Sequence, residues 1–194
     1  MPQSMRTFIG VPLVPGIRDK LVALQQQLAE TSGSVKWVEP ENLHVTMLFL
    51  GEVDAREVLT VCRTVEGVVG ALEPFAMRVA GIGCFPNPRR PRTIWAGIEE
   101  GSRELIELHT ALEQPLMEKG CYRREERAFT PHITLGRVKG ESDTRALAEA
   151  LKLQADWFAG QMTVKEIHVL SSELMKEGPV YTVLSRARLV QAED

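Results

Sequence analysis

Residues 43–50, LHVTMLFL, and residues 131–138, PHITLGRV, decide how this chain is read. Each holds the pattern His-apolar-Thr-apolar, as His44-Val45-Thr46-Met47 and His132-Ile133-Thr134-Leu135. Both lie in apolar stretches that predict strands. Side chains alternate across a strand, so each His and its Thr share a face, about 6.6 Å apart along it. Two such strands facing across a groove supply two imidazoles and two hydroxyls. That set suits acid–base chemistry on a phosphodiester without a metal.

Outward from the motifs, one pattern runs twice. Residues 5–11 predict a strand, and Pro15-Gly16 opens a helix whose Ile17, Leu21, Leu24 and Leu28 recur at helical spacing until Gly33. A short strand over 35–38, a turn at Pro40-Glu41-Asn42 and the motif strand 43–50 follow. Asp54, with Glu57 beyond it, reads as the cap of a helix to about Val69, and 75–84 as a strand. The order then restarts with a strand over 93–98. A helix capped by Ser102 runs through Leu105, Leu108 and Leu112, is bent or ended at Pro115 and is closed by Gly120. Next come a short strand near 121–124, the second motif strand over about 128–138, and a helix from Asp143 to Leu153. Strands over about 161–170 and 180–187 finish the pattern.

The intervals match. Phe8 to His44 spans 36 residues, Trp95 to His132 spans 37, and the two histidines lie 88 apart. The expectation is an α+β fold of two lobes related by a pseudo-twofold axis, each an antiparallel sheet with two helices. One bilobal domain would span 1–194, with an internal repeat over about 5–85 and 92–188 and both motifs at a central cleft.

Composition narrows the class. At 194 residues, 44% hydrophobic and 25% charged, the chain is long enough to bury about 70% of its unfolded surface. No apolar run reaches the roughly 20 residues of a membrane span, and the N-terminus lacks a signal-peptide core, so a cytoplasmic protein is expected. Cys62, Cys84 and Cys121 are odd in number and show no CxxC, which argues for reduced thiols and against a zinc site. Net charge is −3, so bulk electrostatics do not favour nonspecific nucleic-acid binding. The arginines are uneven: Arg89, Arg90 and Arg92 cluster, and Arg123, Arg124, Arg127 and Arg137 flank the second motif. A small anionic target fits that distribution.

Four segments, WVEPENLHVTMLFLGEV (37–53), GCFPNPRRPRTIWAGI (83–98), RAFTPHITLGRV (127–138) and GPVY (178–181), closely resemble the RNA 2′,3′-cyclic phosphodiesterase family. That family, also called 2′-5′ RNA ligase, belongs to the two-histidine (2H) phosphoesterases. The resemblance spans about Arg6 to Leu184. Met47 stands where the family usually has Leu and Gly136 where it often has Ala, and neither removes a functional group. The resemblance implies His44 as proton donor to the departing 3′ oxygen and His132 as the base that activates water, with Thr46 and Thr134 completing the motifs. It implies hydrolysis of RNA 2′,3′-cyclic phosphate ends to 2′-phosphomonoesters, with reverse, ATP-independent 2′-5′ ligation as a side capacity. It also maps a family arginine onto Arg137, whose odd offset from His132 puts it on the wrong face unless a bulge or bend at Gly136 re-aims it.

Tyr181 resembles a family position near the cleft, and Trp37 is a candidate for stacking on a base. Phe49 and Leu50 are expected in the core, and His109 and His168 as surface or structural residues. No metal or other cofactor is expected, and the expected partner is RNA with 2′,3′-cyclic phosphate ends or a small cyclic nucleotide, bound by a monomer with no obligate protein partner and no membrane. Other readings are a 2H enzyme for 2′-5′ oligoadenylates or another small cyclic phosphate, a noncatalytic RNA-end binder, and a metal-dependent hydrolase. No HExxH or ligand-spaced cluster supports the last.

Overall fold

Apolar residues at helical spacing bury one stripe of each helix, and β-branched runs form the strands those stripes cover. The computed structural model describes residues 4–31, 34–124, 127–140, 144–176 and 178–190. In chain order these form β1 (Ser4–Pro12), α1 (Pro15–Ala29), β2 (Val35–Trp37), a 3-10 turn (Pro40–Asn42), β3 (His44–Asp54), α2 (Val58–Val69) and β4 (Phe75–Phe85). The second series is β5 (Thr93–Ile98), α3 (Ser102–Glu118), β6 (His132–Val138), α4 (Arg145–Leu153), β7 (Phe158–Val164), β8 (Glu166–Leu174) and β9 (Pro179–Arg188).

The described strands form one sheet in the order β7-β4-β5-β6-β3-β1-β8-β9, with β2 on β6. Every pairing is antiparallel. Only Lys165 separates β7 from β8, although five strands lie between them in that order. Such a link requires the sheet to curl into a half-barrel, whose inner surface is the cleft. The fold is therefore α+β and two-lobed. One lobe holds β1, β3, β8 and β9, and the other β4, β5, β6 and β7.

The lobes exchange elements. β4, from the first half of the chain, lies between β5 and β7, while β8 and β9 extend the sheet beyond β1. Helix α1 packs on β6 and β7, α2 on β8 and β9, and α3 on α2 and β3. One strand set thus joins the two ends of the sequence, and the other is its middle, from Phe75 to Val164. The core runs through both, with Ile9, Leu21, Leu24, Ile94, Leu105, Leu108 and Ile133 at or near zero exposure.

Several local expectations need correction. Residues 121–124 are not a strand, and the strand expected from 128 begins at His132. The single strand expected over 161–170 is two, because the chain leaves one lobe for the other at Lys165. Pro115 does not end α3, which continues to Glu118. The amide donor that Pro115 lacks would have served the carbonyl of Ala111, which lies exposed. Asp54 closes β3 and accepts from the Arg56 backbone N–H at 2.9 Å, and α2 starts at Val58 without a side-chain cap. Ser102 is the first residue of α3 rather than its cap. The cap position is Gly101, at φ 83°, where a Cβ would stand 2.5 Å from the Ala76 carbonyl oxygen. Gly33 and Asp143 lie outside the described residues.

Candidate active site

The two motif strands meet at equivalent residues. β3 and β6 pair antiparallel at Val45 and Ile133, each the residue after its histidine. An antiparallel register through that point sets His44 beside Thr134 and Thr46 beside His132. A local pseudo-twofold axis therefore passes between Val45 and Ile133.

Both strands carry a bulge at the same place. Against β1, Thr46 pairs with Gly10 and Leu48 with Ile9, so Met47 is extra. Against β5, Thr134 pairs with Trp95 and Gly136 with Ile94, so Leu135 is extra. The extra residue shifts the alternation by one. Burial follows identically in both: His and Thr half-buried, the intervening residue buried, then two consecutive buried residues, then an exposed one. That exposed residue is Arg137 in β6 and Phe49 in β3. The bulge therefore turns Arg137 onto the histidine face, as its expected role requires. It also places Phe49 there, 57% exposed, which corrects its expected place in the core.

Each imidazole is held from behind. His44 Nδ1 donates to the Asn42 carbonyl at 2.7 Å, and His132 Nδ1 donates to the Thr130 carbonyl at 2.7 Å. A carbonyl only accepts, so both Nδ1 atoms carry a proton and both Nε2 atoms are left for chemistry. His44 Nε2 stands 2.7 Å from the Thr46 hydroxyl. An aromatic edge braces each ring, Tyr181 for His44 (centroids 5.6 Å, 85°) and Phe85 for His132 (5.2 Å, 82°). Phe8 packs on His44 at 5.0 Å. Burial pushes the His44 pKa below its ordinary value, and a charged His132 would add to that, while the Asn42 carbonyl opposes it. Burial raises the Tyr181 phenol, partly offset by Arg137 and Arg6.

Two cavities open from this centre. The larger, about 700 Å³, is lined by His132 and extends to His109, Phe129, Arg92 and Arg127. The smaller, about 220 Å³, is lined by His44, Trp37 and Tyr181. Thr46, Thr134, Phe49 and Arg137 line both. The structure thus gathers His44, Thr46, His132, Thr134, Arg137, Tyr181 and Trp37 around one centre. Arg89 and Arg90 lie exposed, and Arg124 pairs with Glu113 at 3.3 Å. His168 is buried against Glu166 at 2.7 Å and lines a third cavity of about 290 Å³ behind His44. Among the described residues, no group of three or more His, Cys, Asp or Glu side chains is placed to hold a metal ion.

Sequence reasoning missed three supports. Gln25 is buried in the apolar stripe of α1 and donates its amide to the Val38 carbonyl at 2.9 Å and the Leu135 carbonyl at 2.8 Å. It therefore pins the bulge that aims Arg137, and a polar residue within a leucine stripe was its visible sign. Asn42 donates to the Pro179 carbonyl at 2.8 Å, tying the turn behind His44 to the strand that carries Tyr181. Gly10 lets the His44 ring lie close to β1, because a Cβ there would stand 3.1 Å from the imidazole Cδ2.

Comparison with known proteins agrees with this geometry. Residues 17–174 match the model of the 2′-5′ RNA ligase superfamily. A Methanothermobacter thermautotrophicus protein named RNA 2′,3′-cyclic phosphodiesterase is 36% identical over 186 residues, covering 96% of this chain and 100% of its own. An Aquifex aeolicus protein of the same name is 34% identical, with 93% of this chain and 95% of that protein covered. Among solved structures, TT0787 of Thermus thermophilus superposes with a TM-score of 0.81 at 30% identity, covering 95% of this chain and 98% of that one. E. coli LigT complexed with 3′-AMP gives 0.79 at 26% identity, covering 97% and 99%. Two histidine–threonine strands about a shared twofold, a family match over most of the chain and relatives at full length converge: the chain belongs to the 2′-5′ RNA ligase superfamily.

Proposed function

We propose that this protein hydrolyses 2′,3′-cyclic phosphate ends of RNA to 2′-phosphomonoesters by two-histidine acid–base catalysis without a metal. The observation that carries this reading is the equivalent placement of two His–Thr pairs about the Val45–Ile133 contact, each imidazole held at Nδ1 by a carbonyl. The curated relatives bear the name of this activity.

The phosphoryl group sits at the wall common to both cavities. Neutral His132 takes a proton from water through Nε2 as the water oxygen bonds to phosphorus. Protonated His44 delivers its Nε2 proton to the 3′ oxygen as that bond to phosphorus breaks. Each histidine contributes roughly 10²–10⁴-fold. Thr46 and Thr134 donate hydroxyl hydrogen bonds to the nonbridging oxygens, and Arg137 clamps the same group. Thr46 swings from His44 Nε2 to the phosphoryl oxygen when substrate arrives. Trp37 and Tyr181 hold the terminal nucleoside on the His44 side. Three free cysteines suit the reducing cytoplasm, and the protein acts as a monomer. Among the described residues no helix is long and apolar enough to cross a membrane.

The test incubates the protein with EDTA and a short RNA ending in a 2′,3′-cyclic phosphate, and identifies the product by phosphorus NMR. A 2′-phosphate is expected, with His44→Ala and His132→Ala each losing at least about 10²-fold. A 3′-phosphate product, or near-full activity in either variant, overturns the mechanism.

A further inference from the structure

We propose that the cavity behind His44 is a subsite for the nucleotide that precedes the cyclic phosphate in the same RNA strand, and that Arg18 receives the phosphate joining the two nucleotides. The inference deepens the proposed function and rests on it: it makes an RNA strand, rather than a free cyclic mononucleotide, the preferred substrate.

With the leaving 3′ oxygen at His44, the terminal nucleoside occupies the smaller cavity with Trp37 and Tyr181. Its 5′ side must leave that cavity for the strand to continue. Asn42, His44, Pro179 and Tyr181 line both the smaller cavity and the one of about 290 Å³ that reaches His168. A strand crossing this common wall passes directly from one into the other. The second space lies at the lower end of the range for ligand pockets, enough for one nucleotide.

The polar groups of its lining are unevenly satisfied. Arg18, in the first turn of α1, is half-buried there, and its Nη2 donates to the Leu13 carbonyl at 3.0 Å. Among the described residues no carboxylate pairs with this guanidinium, and its Nε is buried without a partner. Charged groups this enclosed are ordinarily paired. A phosphodiester supplies the missing countercharge and, in the bidentate arrangement that a guanidinium favours, a partner for Nε. Elsewhere the lining accepts. His168 donates through Nε2 to Glu166 at 2.7 Å, which leaves Nδ1 of the neutral ring an acceptor, and Glu41 is an exposed carboxylate. Both suit the amino groups of a base. Glu41 is the charge that opposes a phosphate here, and it forms no ion pair with Arg18. Val180 and Val183, 53% and 40% exposed, give the base an apolar wall to cover.

The experiment measures kcat/KM for three cyclic-ended substrates. They are a mononucleotide, a dinucleotide with an ordinary phosphodiester, and the same dinucleotide with an uncharged methylphosphonate at that link. The preceding sugar is 2′-deoxy in both dinucleotides, which keeps the neutral link intact. Wild type is expected to favour the charged dinucleotide over the mononucleotide, and to lose about 10- to 150-fold on the neutral link, the range for one charge-assisted contact. That loss should shrink as salt is raised. Arg18→Met should turn over the charged dinucleotide no better than the neutral one, and Arg18→Lys should recover part of the difference. Comparing two substrates on one protein cancels any general loss of folded enzyme in a variant. Equal kcat/KM for mononucleotide and charged dinucleotide in wild type overturns the proposal. So does a penalty for the neutral link that persists in Arg18→Met, which would assign the phosphate to another cation of the cleft. Wild type that opens none of the three substrates removes the proposed function itself, and the subsite with it.

Discussion

The half-buried imidazole of His44 sets a measurable property. His44 is held below its ordinary pKa chiefly by burial, yet the proposed role as proton donor requires it charged. The phosphate resolves the conflict, because an anion beside Nε2 favours the charged ring. The His44 resonance in a proton NMR titration is expected below about 6.5 in the free protein and to move upward on adding 2′-AMP or inorganic phosphate. A midpoint unmoved by saturating ligand would place the anion elsewhere. The same depression affects stability. Below about 6.5 the unfolded chain takes up a proton that folded His44 refuses, so the unfolding free energy falls as pH drops from there toward the folded pKa. Denaturant unfolding from about pH 7 to 5 should show that slope, and His44→Asn should reduce it.

At the scale of elements, the paired bulges decide which side chains reach the cleft. Gln25 holds the β6 bulge through the Leu135 carbonyl, and the same amide satisfies Val38. Gln25→Leu removes the amide donor from the part-buried Val38 carbonyl and one of two donors from the buried Leu135 carbonyl, which keeps the Val38 N–H at 2.9 Å, and should cost about 1–3 kcal/mol in chemical denaturation. It should also lower kcat, because Arg137 loses its fixed direction. Arg137→Ala separates the two effects, with a loss in kcat/KM of about 10- to 150-fold from one charge-assisted contact and little change in stability. Equal stability losses in both variants would mean that Arg137 serves the fold instead. The bulges also explain what could be read in advance. The motifs, their strands and the helices that cover them were legible because alternation and helical spacing are local patterns. The direction of Arg137 was legible only by allowing a bulge, whereas unbroken alternation puts Phe49, at the same offset from its own histidine, in the core. A bulge is stabilised by contacts from elsewhere, here a helix residue 110 positions from the Leu135 it holds, and leaves no periodicity of its own. The crossing at Lys165 was hidden for a similar reason, since one continuous β-prone run serves two lobes.

At the scale of the whole molecule, the duplication legible in sequence and the lobes built in space are different partitions. Cutting the chain between the two runs, near residue 88, separates β4 from both of its strand partners, β5 and β7. It also separates β1 from β8, and α2 from the β8 and β9 strands that it covers. Neither piece retains a sheet with its own helices. A fragment of residues 1–88 would expose Met77 and Val79, both fully buried in the intact chain, on a strand with no partner. Each half alone is therefore expected to lack dispersed amide NMR signals and cooperative thermal unfolding. Mixed in equal amounts, the halves should recover both, together with hydrolysis, because the exchanged strands specify one mutual arrangement. The intact chain should unfold in a single transition, with chemical denaturation followed by tryptophan fluorescence and far-UV circular dichroism giving coincident curves. Independent folding of residues 1–88 would show that the sequence repeat, rather than the strand exchange, is the cooperative unit. The exchange also bears on the reaction. One histidine and one threonine come from each run of the repeat, and the carbonyl that pins each imidazole lies two residues before it. In the proposed mechanism either half alone holds the acid or the base but never both, so activity and global folding should be lost together along a denaturant series.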